Sequence, residues 1–518
     1  MKNSQIFRWK AVGIILWLCI FTNVVALTSM AFPRVVAASP ISFDTAVIPI
    51  KDQMCISHGP ADINYHAENL KILGPKILRN NIEWFRCAID YGKNTTVYDF
   101  SYYDTLFTNL LNRGIESLGC FVYGWGWWPN DYDLPREDWP FYYNFTRAFV
   151  LQYAGILKYY EIWNEPNIGF WRGTDEDFFE FSQKLASIVR SCDPNAIIIS
   201  PGIVGPEVSY LDQMIAWYGE ENFSATYDII AYHAYSGRNA ELLSQKMADV
   251  KLWMESHGLE LKPVWITEIG MATSVATNDQ IGTAIATELR LYQATQVLKV
   301  YAQAIAANIS ATFWYCQNDW CDTNDTYGEG RFGLMECIDP VHYLYGFKPA
   351  GYAYTLLNSL IENGTCYANG VAVRSFTGGT VSSYYFYTPR NTTVLILWSQ
   401  YTAAWARLSV IAPEGSSGSA MLFDLNDFDY FTNSSASFPG LPAYEMELGF
   451  TPVLLELNYS AGMALQAPLG ILIEIVYSPD IVALLVIIAT ISIAGLAILL
   501  ARVRILRKKP TASRGGSP

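Results

Sequence analysis

Two glutamates stand where paired carboxylate chemistry is easily assembled. In Tyr160-Glu161-Ile162-Trp163-Asn164-Glu165-Pro166-Asn167 and in Val264-Trp265-Ile266-Thr267-Glu268-Ile269-Gly270, an apolar strand-like run ends on a glutamate and then meets a turn. In a parallel barrel the strand C-termini open on one face, so Glu165 and Glu268 would look at each other across its mouth. Glycosidic cleavage needs such a pair. One carboxyl, protonated, releases the leaving oxygen, and the other, ionised, attacks or activates water. Proximity raises the pKa of one of them, because two like charges resist joint ionisation. An isolated strand-end glutamate is as readily half of a salt bridge, and Glu161, inside the first run, is read as structural.

The elements that must place this pair are legible as alternation. From about Ala46 to Asn363, short apolar runs alternate with longer helical patterns, the signature of a parallel sheet. Candidate strands are Gln53–Ser57, Ile77–Asn81, Ile115–Tyr123, Tyr159–Asn164, Ile197–Ser200, Asp228–Tyr232, Val264–Thr267 and Ala311–Tyr315, with helices such as Phe178–Ser191 and Ala284–Asn308 between them. Eight strands with crossover-length gaps predict an α/β fold, a (β/α)8 TIM barrel over residues 38–363, with Glu165 after the fourth strand and Glu268 after the seventh. After Gly364, short alternating runs separated by Pro, Gly, Asn and Ser predict a small antiparallel β-sandwich over 364–459. A juxtamembrane segment, 460–480, follows, in which Leu469–Tyr477 is either a further strand or a membrane-surface stretch.

The Trp-Asn-Glu-Pro-Asn and Trp-Ile-Thr-Glu-Ile-Gly segments resemble the signatures of clan A glycoside hydrolases, retaining (β/α)8 enzymes with catalytic glutamates after strands four and seven. The resemblance runs from about Leu73 to Asn363. It implies Glu165 as acid/base, Glu268 as nucleophile and Asn164 as the partner of a sugar 2-hydroxyl. It also implies Arg79, placed at the end of the second strand, near the nucleophile. His233 and Tyr235 match a His-x-Tyr pair after strand six, the tyrosine orienting the nucleophile. Trp314 matches the strand-eight tryptophan that floors the sugar at the cleavage point. At the third strand the chain departs from clan members that carry a histidine there. It reads Cys120-Phe121-Val122-Tyr123-Gly124-Trp125-Gly126-Trp127-Trp128, so that polar role falls to Tyr123 or is absent. Trp125 and its neighbours offer indole faces for stacking on sugars, and His58 is a weaker candidate contact. Within the clan the run is most similar to family 39, which includes β-xylosidases and α-L-iduronidases. Phe332-Gly333-Leu334 before Lys348-Pro349-Ala350, and the trailing sandwich, carry that closer likeness.

The implied reaction is hydrolysis of O-glycosidic bonds in extracellular glycans or oligosaccharides by double displacement, with a carbohydrate substrate and no metal or organic cofactor. Two alternatives stay open: a surface glycan-binding protein on an inactive barrel, and a transglycosylase using the same residues.

Composition agrees with an exported protein. Ten of the 34 basic residues lie before residue 38 or after residue 480, leaving 24 basic residues against all 48 acids between, a formal net charge of −24. Such a surface repels phosphates and excludes nucleic acid as a partner. Ile481 to Ala501 are uncharged and mostly apolar, long enough for a transmembrane helix, and the basic residues 502–518 predict a cytoplasmic tail. Residues 1–37 read as a signal peptide or an N-terminal anchor. Both readings place the catalytic region outside a cell membrane. Nine Asn-x-Ser/Thr sites, at Asn94, Asn144, Asn222, Asn308, Asn324, Asn363, Asn391, Asn433 and Asn458, agree with that side. Among Cys316, Cys321 and Cys337, one disulfide is expected.

Overall fold

The computed structural model describes residues 44–49, 54–58, 63–88, 92–125, 134–205, 208–235, 239–273, 284–321, 329–342 and 344–361, and, between 365 and 476, strands with their immediate neighbours. Eight parallel strands form its first unit: β1 (Met54–Ser57), β2 (Ile77–Glu83), β3 (Glu116–Val122), β4 (Tyr159–Ile162), β5 (Ile197–Ile199), β6 (Ile230–His233), β7 (Val264–Ile269) and β8 (Ala311–Tyr315). Their hydrogen-bonded order is β5-β4-β3-β2-β1-β8-β7-β6, with a two-residue strand, Ile203–Val204, beyond β6. The two ends of that ladder meet. Ser200 N–H donates to Ile229 O at 3.0 Å, Asp228 N–H to Ile198 O at 2.7 Å, and Glu165 N–H to Gly202 O at 2.9 Å. The result is TIM-barrel-like. Ile203–Val204 was not among the expected strands, because Pro201-Gly202 interrupts the apolar run and bends the chain before it pairs again.

Period two decides what fills the barrel. Cys55, Ile77, Leu118, Tyr159, Ile199, Ile229, Ala231, Trp265, Ala311 and Phe313 form one buried cluster drawn from around the ring, while the alternate positions pack against helices. Asp175–Cys192 shows why a helix stands where it does. Thr174 Oγ1 caps it by accepting from Asp177 N–H at 3.1 Å, acids occupy its first turn, and Arg190 lies in its last. Its apolar stripe, from Phe178 to Val189, is buried. The cap lengthens the helix beyond the expected Phe178–Ser191, because its acidic first turn carries no apolar signal.

The second unit differs from the expected sandwich in three ways. It recruits Asp44–Pro49, which precedes the barrel and pairs with Cys366–Asn369, so the barrel does not begin at residue 38. It also extends past residue 459, since Gly470–Val476 is a strand paired antiparallel with Ala404–Ile411. That settles the open reading of Leu469–Tyr477 in favour of a strand. Finally, Gly470–Val476 runs parallel to Val371–Ser375, so the unit is not purely antiparallel. Seven strands form one sheet and four the other. Strand partners far apart in sequence leave no local mark, which hides all three features from a linear reading.

The two units are joined by a buried cation. Lys299, fully enclosed on the helix Ala284–Ala306, donates to Glu241 Oε1 at 2.7 Å and lies 3.2 Å from the centroid of the Phe450 ring. Trp398 of the sandwich donates its indole N–H to the same Glu241 oxygen at 2.7 Å, and Tyr292 stacks on Phe450. A disulfide joins Cys321 to Cys337, leaving Cys316 as a buried free thiol. The leader 1–37, the membrane segment 481–501 and the tail 502–518 lie outside the described residues. Among the described residues, no helix is long and apolar enough to cross a membrane.

Candidate active site

The C-terminal ends of the strands carry unusual backbone. Among the described residues outside glycine, positive φ occurs at His58, Tyr123, Trp163 and Glu165, each at or just past the end of β1, β3 or β4, and at Asn308 elsewhere. Left-handed backbone at a bulky residue costs on the order of 1–3 kcal/mol and persists where its surroundings over-determine it. At β4 they do. Trp163 N–H donates to Phe121 O at 3.0 Å and its indole N–H to Phe170 O at 2.9 Å, while Glu165 is held through Gly202. Two left-handed residues flanking Asn164 turn both Asn164 and Glu165 into a cavity of about 330 Å³. His58, Tyr123, Ile168, Phe170, Val204, Tyr235, Glu268, Tyr315 and Phe332 complete its lining.

Glu165 and Glu268 face each other there. Each offers an oxygen, and His233 a ring nitrogen, all within 4.8 Å of one another. Three such donors could hold a metal ion, but they are already engaged. Arg79 Nη1–H donates to Glu268 Oε1 at 2.6 Å, and His233 Nδ1 lies 2.6 Å from Glu165 Oε1. A cation placed among them would meet the guanidinium. The arrangement suits a carboxylate pair.

Arg79 lies in the middle of β2, opposite Ser57 of β1, and not at the strand end. It is fully buried and spends its donors on Glu268, Glu161, Asn164 Oδ1 at 2.8 Å, Ser57 Oγ at 3.3 Å and Cys120 Sγ at 3.3 Å. Burial alone would favour losing its proton, but the neighbouring Cys120, Glu161 and Glu268 prevail and hold its pKa well above the ordinary value. Glu268 is also shifted upward. Burial raises its pKa, the charges of His233 and Arg79 pull it down, and those of Glu165 and Glu161 raise it, the net direction being upward. Tyr235 O–H donates to Glu268 Oε2 at 3.1 Å, and burial followed by the Glu268 charge keeps that phenol protonated. His58, about a third exposed, is held neutral, its pKa lowered to about 3 by burial, Arg79 and His233.

His233 is fully enclosed between Glu165 and Thr267. Its space exists because Gly202 has no side chain, since a Cβ there would stand 2.2 Å from His233 Nε2. Thr267 O–H donates to Glu161 Oε1 at 2.9 Å, and Glu161 also accepts from Arg79 Nε–H. Glu161 is structural, as the sequence predicts, but it supports both glutamates at once.

Seven of the nine sequence-predicted site residues thus come together: Glu165, Glu268, Arg79, Asn164, His233, Tyr235 and Tyr123. Two do not. Trp314 is buried in the outer core with its indole N–H on Phe332 O at 3.2 Å, because alternation along β8 turns it towards the helices. Its neighbour Tyr315 lines the cavity instead. Trp125 packs edge-on against Trp84, with ring centroids 5.1 Å apart, away from the cavity lining. Trp127 and Trp128 lie outside the described residues. Sequence reasoning also missed Phe170, Phe332, Ser57 and Thr267 as parts of the site. Ser57 and Thr267 carried a signal, since each immediately precedes a cavity-lining residue at a strand end.

Residues 158–325 match the family described as a glycosyl hydrolase catalytic core. No curated protein matches the sequence. Among solved structures, the chain is similar to a family 39 glycoside hydrolase from the gut symbiont Bacteroides cellulosilyticus WH2, with 17% identity, TM-score 0.59, and 79% of this chain and 81% of that chain covered. It is also similar to a monomeric beta-xylosidase from Caulobacter crescentus CB15, with 14% identity, TM-score 0.58, and coverage of 80% and 97%. A family 51 alpha-L-arabinofuranosidase from Bifidobacterium longum shares 10% identity at TM-score 0.53, with coverage of 81% and 100%. At these identities the structural likeness speaks for the fold, while the catalytic-core match bears on the chemistry. Taken with the paired carboxylates, these matches support a glycoside hydrolase, and the chain resembles those of clan A, family 39 among them.

Proposed function

We propose that the chain is a retaining glycoside hydrolase with Glu268 as nucleophile and Glu165 as acid/base. The observation that carries the reading is the approach of the two carboxyls, with oxygens within 4.8 Å across one cavity. Retaining enzymes hold their pair about 5–5.5 Å apart, whereas inverting ones leave about 6.5–9.5 Å for a water. In the first step Glu268 attacks the anomeric carbon, the glycosidic C–O bond breaks, and the leaving oxygen takes the proton of Glu165. In the second, Glu165 removes a proton from water as its oxygen attacks the same carbon and Glu268 departs, giving net retention. Arg79 and Tyr235 hold Glu268 between two fixed donors, and Asn164, with its Oδ1 tied to Arg79, presents its amide N–H2 for a sugar hydroxyl.

A panel of chromogenic glycosides, with the anomeric configuration of the first-formed product read by NMR, tests this. A product of retained configuration is expected. An inverted product would overturn the mechanism, and absence of turnover on every glycoside would favour a glycan-binding role. Adding acceptor alcohols to the same reactions separates hydrolysis from transglycosylation.

We further propose that residues 38–478 face outward from a membrane anchored by 481–501. The sequons whose side chains are described, at Asn94, Asn144, Asn222 and Asn308, are all exposed, as acceptors of glycan must be. Protease added to intact cells should digest this region, and its full protection would reverse the orientation.

A further inference from the structure

Behind Glu165 runs a hydrogen-bond chain that the two displacement steps do not themselves use. His233 Nδ1 lies 2.6 Å from Glu165 Oε1, and Nε2 lies 3.1 Å from Thr267 Oγ1. Thr267 has one hydroxyl hydrogen, and that is donated to Glu161 Oε1 at 2.9 Å. Glu161 is fixed in turn by Arg79, which donates to its other oxygen. Only the lone pairs of Thr267 Oγ1 are left to face Nε2, so Nε2 carries a hydrogen. At 2.6 Å, the contact of Nδ1 with a carboxyl oxygen needs one hydrogen between them. Glu165 and His233 therefore hold a single proton between them at rest.

We infer that Thr267, oriented by Glu161, is a positioning residue for the acid/base, fixing the hydrogen of His233 on Nε2 so that Nδ1 shares the proton of Glu165 and does not supply one of its own. The inference rests on the acid/base reading of Glu165 given above. Its consequence falls on the second displacement. When Glu165 has passed its proton to the leaving oxygen, its carboxylate faces the Nδ1 lone pair at hydrogen-bond distance. That repulsion makes Glu165 a stronger base towards the incoming water. A ring free to place its hydrogen on Nδ1 would instead donate to the carboxylate, stabilise it, and lower the apparent pKa of the acid.

The charges around His233 come from three strands. Glu161 and Glu165 belong to β4 and the turn after it, with Glu161 Oε1 4.0 Å from Nε2. Glu268 of β7 lies 3.8 Å from Nδ1, and Arg79 of β2 lies behind both carboxylates. Tyr235, with its phenol protonated, and His58, held neutral, add no charge. Burial opposes a charge on His233, but Glu268 and the bond and charge of Glu165 raise its pKa above the ordinary value, which keeps the ring competent to share the proton.

In the full-length chain, Thr267→Val keeps the side-chain shape and removes the acceptor for Nε2–H. The alkaline limb of kcat/KM should fall by about one pH unit, and Thr267→Ser should return it to the wild-type position. Labelling with 15N-histidine reads the tautomer directly, the His233 signal being assigned by its loss in His233→Asn. The Nε2–H form is expected in the wild type and a mixture in Thr267→Val. An unchanged alkaline limb in a Thr267→Val protein that unfolds at the wild-type temperature would overturn the inference. An Nδ1–H tautomer in the wild type would do the same. Glu165→Gln separates the two levels: full activity of that variant on poor leaving groups would remove the acid/base reading itself, whatever the tautomer.

Discussion

Glu165 and Glu268 end two strands of one barrel, and their surroundings could hardly be less alike. Glu268 is gripped by a guanidinium and a phenol that both donate to it, with Ser57 O–H a longer third at 3.4 Å. Among the described residues Glu165 has no lysine or arginine beside it, and its side-chain partner is one imidazole nitrogen. A carboxyl surrounded by fixed donors is aimed by them, and they oppose the burial that raises its pKa, which suits attack on carbon. One that shares a proton with an imidazole can give that proton up and take it back. The lesson is that residue type supplied two equivalent groups, and partners brought from other strands made them different.

The largest effect that would break this contrast is on the proposed nucleophile. Glu268→Ala removes the covalent route, so turnover should fall by several orders of magnitude, on the scale of losing a primary nucleophile. Azide in the vacated space should yield a glycosyl azide of inverted configuration. Glu165→Ala should lose about 10²–10⁴-fold on poor leaving groups and much less on activated ones, with azide giving a retained product. Opposite stereochemical outcomes in the two variants would exchange the roles.

A smaller effect sharpens the account of how Glu268 is held. Tyr235→Phe removes one hydrogen bond to a charged group, worth about 1.5–3 kcal/mol. In kcat that corresponds to roughly 10- to 100-fold. Measured rates within twofold of wild type would show that Arg79 suffices to orient the carboxylate. The smallest effect concerns the two aromatic neighbours on β8. Trp314→Phe should cost about 1–3 kcal/mol of stability, read as a lower Tm, and leave KM nearly unchanged. Tyr315→Ala should raise KM about tenfold through a lost cavity wall. If the two exchanged behaviours, the assignment of faces along β8 would be wrong.

That pair also shows where linear reading failed. The Phe313-Trp314-Tyr315 run is apolar throughout, as a strand buried on both faces must be, so it carries no alternation to say which ring points inward. Arg79 was found for its type, but the strand runs four residues past it to Glu83, beyond the expected end at Asn81. The second unit was legible as β structure from its short alternating runs. Its recruitment of Asp44–Pro49 and Gly470–Val476 was not, since each pairs with strands distant in the chain.

By itself the sequence determined the alternating elements, the two glutamates at the ends of strands four and seven, and the residue types gathered around them. These are local: a run of apolar side chains ended by a turn announces a strand and its last residue whatever lies beside it. Tertiary structure alone decided that Glu161 braces both glutamates through Arg79 and Thr267, that Gly202 makes room for His233, and that Tyr315 and Phe332 wall the cavity. Each of those facts is a distance between atoms on different strands or the loops beyond them, fixed by the closure and stagger of the barrel, and no spacing along the chain encodes it.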